Sequence, residues 1–213
     1  MSALRVSGRR LAELEAPDGS GLLGDIRALL EQLGSGEAGV AAHGLAMPGS
    51  FKILSGFLDT YKRDVLIAHE WPAINRAYLH ARQNECHELI SLDESLAGEK
   101  ALAPFADASR RIGQFQLGRL RPLRGERVLT RYIAAVDEGK AHGWHTLVYG
   151  LTLAVYSLPA RQGLMHYAHQ ILRSYLESAA SAFSVSEEES SIALQNLLAD
   201  LPRELEKVLQ PAL

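Results

Sequence analysis

The residues between Ala141 and Ala160 carry no formal charge, and this run constrains the fold more than any other feature of the sequence. A transmembrane helix needs about 20 predominantly apolar residues. This run contains two histidines, several hydroxyl side chains and Pro159, and its flanks are not typical of a spanning segment. We therefore interpret it as a helix that is buried on nearly all sides in a protein core.

The segment that follows this run is predicted to form the second arm of a helical hairpin. We expect Ser157 to cap this second helix and Pro159 to lie in its first turn, where a missing N–H is tolerated. Its apolar side chains recur at the three- and four-residue spacing of an amphipathic helix, and they are Leu164, Ala168, Ile171, Leu172, Tyr175, Leu176, Ala179 and Phe183.

The same spacing predicts helices through the rest of the chain. No useful window alternates with period two, and no Asn-Gly hairpin turn occurs. We expect an all-α, single-domain bundle of about eight to ten helices over residues 17–213, preceded by an arm over residues 1–16. The predicted helices outside the hairpin lie within residues 22–33, 51–66, 70–81, 86–96, 101–121, 128–136 and 192–209.

Composition narrows the class of protein. The net charge of -3 and the pI near 6.2 do not favour a nucleic-acid-binding protein. Because Cys86 is the single cysteine, no internal disulfide can form. The first 16 residues lack an apolar segment of signal-peptide length, so we expect a cytoplasmic protein.

Two pairs of histidines raise the question of a metal site. His142 and His145 are three residues apart, as are His166 and His169, and imidazoles on one helix face can bind a divalent metal. Eight histidines produce such pairs by chance, and no HExxH motif or EF-hand loop accompanies them. We interpret His145 as a core histidine and expect no stably bound cofactor.

Charged clusters favour surfaces over catalysis. Cys86 lies on an apolar stripe, with Glu85, His87 and Glu88 beside it in the sequence, and is interpreted as a core cysteine. Glu187 to Glu189 are expected to begin a helix.

No P-loop, dinucleotide-binding glycine pattern or GxSxG motif occurs, so we expect a non-enzymatic binding or scaffolding protein. A basic face suited to an acidic partner is formed by Arg110, Arg111, Arg119, Arg121, Arg124, Arg127 and Arg131.

The order of short motifs over about residues 17–200 resembles that of the UreF-type urease accessory proteins. The family's opening loop resembles Pro17-Asp18-Gly19-Ser20, and its next helix resembles Glu70-Trp71-Pro72 followed by Asn75 to Ala81. The family's "Ser-x-x-Met-Gly" and "Gly-His-x-x-Val-Val-Phe-Gly" patterns are similar to Ser109 to Leu117 and to Gly143 to Gly150, and its later Ser-Ala helix is similar to Leu176 to Ala180.

The resemblance implies a non-enzymatic chaperone in urease maturation. Such proteins dimerise, bind UreD/UreH and recruit the GTPase UreG, so that nickel reaches apo-urease without being held in a cage of the chaperone's own. For this chain the resemblance implies a homodimer. The positions expected to serve partner binding, by close packing or by direct contact, are Pro17, Gly19, Arg110, Gly113, His145, Tyr149 and Gly150.

The chain departs from the family pattern at residues 21–27 and 182–187, and we expect the family's docking tail to be missing after Leu213. Two alternatives follow. One is a dimeric interaction module that kept the fold but acts outside urease maturation. The other is a helical metal or haem carrier that uses His142, His145, His166 and His169.

Overall fold

The computed structural model describes residues 51–123 and 125–210, and the side chains of residues 51–53 and 178–183 lie outside what it describes. Every regular element in these ranges is helical, which confirms the all-α class, and the helices are close in number to the eight to ten expected. The arm over residues 1–16 and the helix predicted at 22–33 lie outside the described residues.

The helices follow one another through short connections. No helix between residues 51 and 210 combines the length and apolar character that crossing a lipid bilayer requires. They are α1 (Phe51–Tyr61), α2 (Trp71–Arg82), α3 (Cys86–Leu96), α4 (Ala106–Leu120), α5 (Arg127–Asp137), α6 (His145–Val155), α7 (Ala160–Phe183), α8 (Glu187–Leu198) and α9 (Leu201–Leu209), with a π-helical segment at Lys62–Glu70 and a 3₁₀ turn at Ala103–Phe105.

The chain from Phe51 to Arg82 is one continuous helical rod, because the π-helical segment joins α1 to α2 without leaving helical backbone angles. An α-helix does begin at Trp71, as predicted from Glu70-Trp71-Pro72, but it follows the preceding helical segment without a loop between them. A proline ring crowds the carbonyl four residues before it, which normally breaks a helix. Here the turn before Pro72 is widened, and the Trp71 N–H bonds to the Leu66 carbonyl five residues earlier.

Helix α6 lies at the centre of the bundle, and every residue from His145 to Leu153 is buried. This confirms the interpretation of the uncharged run as a core helix. Its most extensive contacts are with α2 and then α4, whereas α7 reaches α6 over a smaller area and also packs on α1, α2, α8 and α9. Helices α2 and α4 each cross α6, and these two crossings hold α6 in its position in the bundle.

Ser157 ends α6 and does not cap α7, which corrects the predicted role of this serine. Its φ of 54° is left-handed. The Leu158 N–H bonds to the Leu153 carbonyl at 2.8 Å, which closes a Schellman turn. The Pro159 carbonyl then accepts the first hydrogen bond of α7, from the Gly163 N–H at 3.0 Å. Pro159 therefore stands just before the helix.

The start of α8 has the acidic first turn that the sequence predicts. The Ser186 hydroxyl accepts a hydrogen bond from the Glu189 N–H at 3.2 Å, and the Glu189 carboxylate accepts one from the Ser186 N–H at 3.1 Å. This capping box begins the helix within the segment where the chain departs from the family pattern.

Candidate functional site

The loop that leads into α6 is held by a buried carboxylate from another helix. Asp93 of α3 has no exposed surface. One of its oxygens accepts a hydrogen bond from the backbone N–H of His142 at 2.5 Å. The other oxygen accepts hydrogen bonds from the Tyr132 hydroxyl of α5 at 2.5 Å and from the backbone N–H of Gly143 at 3.0 Å. The backbone N–H of Trp144 also donates to it, at 3.5 Å. Asp93 thus joins α3, α5 and the entry to α6.

Successive N–H groups of this loop form a nest, a concave arrangement that binds anions. The positive φ of Gly143, 72°, turns the chain so that these N–H groups face one point. A buried carboxylate is costly unless its oxygens are hydrogen-bonded, and this nest together with Tyr132 supplies those bonds. Burial and the nearby Asp93 carboxylate raise the pKa of Tyr132 well above its ordinary value, so its hydroxyl stays a donor.

Helix α4 crosses the same loop so closely that only glycine fits at position 113. A Cβ on Gly113 would overlap the Gly143 carbonyl oxygen and would lie 2.8 Å from both the His145 nitrogen and the Trp144 carbonyl carbon. One turn earlier, the Ser109 hydroxyl accepts a hydrogen bond from the His145 N–H at 3.1 Å. The motif at residues 109–117 therefore meets the motif at residues 143–150.

The second crossing lies at the middle of α6, where Gly150 packs on α2. A Cβ on Gly150 would overlap the Ile74 carbonyl oxygen and would lie 2.9 Å from the Ala77 Cβ and 3.1 Å from the Tyr78 nitrogen. Two glycines, one on α4 and one on α6, therefore allow backbone to approach backbone. The junction formed by Asp93, the two glycines and the loop is the candidate functional site.

Of the described arginines predicted to form a basic face on residues 110–131, Arg110 is half-buried, and the exposed ones are Arg111, Arg119, Arg121, Arg127 and Arg131. The guanidinium carbon of half-buried Arg110 lies 4.8 Å from the centre of the Trp144 ring, a cation–π contact. Arg121 donates two hydrogen bonds to the Asp137 carboxylate, at 2.9 and 2.5 Å. Arg124 lies outside the described residues. Arg111 and Arg119 are exposed on α4.

A buried acid lies at the C-terminal end of the π-helical segment. The Tyr61 hydroxyl donates a hydrogen bond to the Glu70 carboxylate at 2.7 Å, and the Tyr167 hydroxyl is a second partner. Tyr175 also lies near this carboxylate. Desolvation outweighs the two hydrogen bonds and raises the pKa of Glu70 to about 7.

His145 is enclosed by aromatic rings, with ring centres 5.4 Å from Tyr167 and 6.1 Å from Tyr149. Burial lowers the pKa of His145 to about 4, so the imidazole is neutral at pH 7. His142 precedes α6, so the two histidines do not share a helix face as their spacing had indicated. Within residues 51–123 and 125–210, no group of three or more His, Cys, Asp or Glu side chains is placed to hold a metal ion.

We expect Glu70→Gln to remove one pH-dependent part of the stability. The folded-state pKa of Glu70, about 7, is above its ordinary 4.5, so its stabilising contribution is full below pH 4.5 and is lost as pH rises towards 7. The free energy of unfolding of wild type relative to Glu70→Gln should therefore fall by on the order of 3 kcal/mol between pH 4.5 and 7. Urea unfolding of both proteins across this range measures the difference.

The comparison of the two proteins isolates Glu70 from His145, whose contribution has the opposite sign. The depressed pKa of His145 makes its contribution full above pH 6.5 and lost as pH falls towards 4, in both proteins alike. Glu88→Gln, on the exposed side of α3, is the control and should keep the wild-type pH profile. A constant gap between wild type and Glu70→Gln would contradict the raised pKa of Glu70.

The residues predicted for partner binding lie in different parts of the chain: some are outside the described residues, and the others are at the crossings of α6. Pro17 and Gly19 lie outside the described residues. Gly113, His145, Tyr149 and Gly150 are buried at the crossings of α6, and Arg110 is half-buried beside them. Their part in partner binding stays a prediction, and in this structure the four buried residues would act through the shape of the junction.

Sequence reasoning missed the roles of three polar residues described above, two at the junction and one in the separate buried cluster around Glu70. Asp93 and Glu70 each lie on an apolar helical stripe, four residues from Leu89 and from Leu66, and that placement is the signal that could have predicted their burial. Ser109 opens a motif already compared with the family, but its hydrogen bond to the start of α6 joins residues 36 positions apart.

The sequence matches a known protein family over more than half of its length. A family model described as UreF matches residues 52–197, which include Asp93, Ser109, both crossing glycines and the loop. A separate comparison with curated proteins found no match.

Proposed function

We propose, since this chain belongs to the UreF family of urease accessory proteins, that it is a non-enzymatic scaffold through which nickel reaches the metallocentre of urease. Its partners in this proposal are a UreG-like GTPase, a UreD/UreH-like accessory protein and apo-urease. Nickel is cargo of the assembly, and this chain holds none of it stably. The observation that carries the proposal is the family match over residues 52–197.

The buried polar groups of the bundle support a scaffold, because each stabilises an arrangement of helices. Asp93 joins two helices and a loop, and Glu70 joins the π-helical segment to α7 through Tyr167. The His145 imidazole is neutral, and the backbone N–H of His145 donates a hydrogen bond to the Ser109 hydroxyl. A partner that binds one arrangement more tightly than another would shift the assembly towards it, which is how a scaffold biases a GTPase.

Urease activation in cells tests the proposal. The urease subunits and the other accessory proteins of the source organism are expressed together with nickel, with and without this chain. We expect this chain to raise both urease activity and the nickel content of the purified urease. Unchanged activity and nickel content, with this chain soluble and abundant, would contradict the proposal and favour an interaction module outside urease maturation.

A further inference from the structure

The π-helical segment Lys62–Glu70 interrupts the α-helical hydrogen bonding of the rod for nine residues. Within α-helices such widened turns are rare and are frequently found at functional sites. This one is not a bulge on the surface, because Val65, Leu66 and Glu70 are buried. The rod therefore changes its backbone geometry at the place where it carries a buried acid.

The Glu70 carboxylate joins the end of this segment to two other helices. It accepts a hydrogen bond from the Tyr61 hydroxyl of α1 at 2.7 Å, and the Tyr167 hydroxyl of α7 is its second partner. The next residue, Trp71, donates its indole N–H to the Leu164 carbonyl of α7 at 3.0 Å. These contacts close the π-helical segment against α7.

Within the described residues, no cation balances the charge of an ionised Glu70. The titratable groups that face this carboxylate are the hydroxyls of Tyr61 on α1 and of Tyr167 and Tyr175 on α7, and these carry no charge. Helices α2 and α9 also pack on the segment, but no side chain of theirs acts on the pKa of Glu70. An ionised carboxylate at this position, 7% exposed and unpaired, is costly.

The two half-buried basic side chains of the segment have partners elsewhere. The Lys62 ammonium lies 2.9 Å from the carboxylate of Asp200, just before α9. The His69 Nδ1 lies 3.7 Å from the carboxylate of Glu99. Neither acts on Glu70, so its ionisation is not offset from within the segment.

We propose that Glu70 is a proton-sensitive switch that controls local opening of the π-helical segment. The neutral carboxyl group stays among the tyrosines, and the segment remains closed against α7. The ionised carboxylate is hydrated only when the segment opens, so ionisation favours the open state and loosens the contact of α1 with α7. Opening ends at α2, because the close packing of Gly150 against the α2 backbone holds that helix. The inference goes beyond the proposed function, and its test needs this chain alone.

The direction of the effect with pH follows from the two states of Glu70. Its pKa is about 7 in the closed segment and returns towards the ordinary 4.5 when the carboxylate is hydrated. The closed state is therefore favoured below neutral pH, and the equilibrium constant for opening should rise about tenfold between pH 6 and pH 8. His145, which contacts Tyr167, is neutral throughout this range, since its pKa is about 4.

Amide hydrogen exchange measures this opening in the wild-type protein and in Glu70→Gln, whose side chain is uncharged at every pH. The two proteins are compared at the same pH, so the pH dependence of the exchange chemistry itself cancels. For the amides of Lys62–Glu70, the exchange rate of wild type relative to Glu70→Gln should rise about tenfold from pH 6 to pH 8. Glu88→Gln, at an exposed position of α3, is the control and should exchange as wild type does at both pH values.

Urea distinguishes local opening from unfolding of the whole protein. The amides of α6, whose residues from His145 to Leu153 are buried, should exchange more slowly than those of the π-helical segment and should be accelerated by dilute urea. The amides of the segment should respond little to urea, because a local opening exposes little surface.

Tyr167→Phe gives a test that does not depend on the folding of Glu70→Gln. Loss of this hydroxyl removes one hydrogen bond to the ionised carboxylate, so the pKa of Glu70 rises further, and opening relative to wild type should continue to increase above pH 8. The proposal would be overturned by a constant ratio of wild type to Glu70→Gln from pH 6 to pH 8, by segment amides that exchange as slowly as those of α6, or by wild-type pH dependence in Tyr167→Phe.

Discussion

Replacing Asp93 by alanine is expected to lower the free energy of unfolding by about 3–5 kcal/mol. The substitution leaves the Tyr132 hydroxyl and the N–H groups of His142 and Gly143 buried without their acceptor. It also opens a cavity at a position with no exposed surface. Because three parts of the bundle meet at this carboxylate, the loop before α6 should loosen before the whole protein unfolds.

Urea unfolding gives the size of the effect, and hydrogen exchange at the loop amides gives its location. Asp59→Ala, at an exposed position of α1, is the matched control and should change stability by less than about 0.5 kcal/mol. Asp93→Asn keeps the size of the side chain but replaces one acceptor oxygen by a donor, so a substantial loss should remain. Wild-type stability and amide protection in Asp93→Ala would contradict the role of this carboxylate.

Gly113→Ala is expected to cost more than about 3 kcal/mol, although it adds a single methyl group. The added Cβ would overlap the Gly143 carbonyl oxygen, and its other close neighbours are also backbone atoms, which cannot rotate away. Helix α4 would have to move off the loop, which would stretch the hydrogen bond between the His145 N–H and Ser109.

Gly118 on the same helix is a control of opposite sign. A Cβ there meets nothing within 4 Å, so Gly118→Ala should stabilise the helix by about 0.5–1 kcal/mol through the lower backbone entropy of the unfolded chain. Thermal unfolding of the two variants side by side separates helix propensity from the close crossing. Equal shifts in the same direction would show that α4 does not approach the loop as described.

Much of the fold could be predicted because the signals are local. The uncharged run predicts a core helix, and α6 is that helix. The features that were not predicted correctly also have local sequence signals, but backbone geometry that the sequence pattern does not show decides what these signals produce. Pro72 gives the start of α2 correctly, but it does not reveal the widened turn that joins α2 to α1 without a loop. Ser157 has the side chain of a helix cap, yet its left-handed backbone ends the preceding helix.

The site was predictable only in part, since its geometry depends on pairs of residues far apart in the chain. Gly113 and Gly150 were identified from motifs in which glycine stands inside a helix, and the structure places backbone atoms against both. Asp93 and the loop it binds are about 50 residues apart, and no spacing rule connects them.

The most direct test of the proposed function is size-exclusion chromatography with light scattering, on this chain mixed with the UreG and UreD/UreH proteins of its own organism. The mixture is run with and without nickel and GTP. We predict a complex that contains all three proteins, with a mass above that of any pair. Elution of this chain apart from both partners under every condition would contradict the assignment to urease maturation.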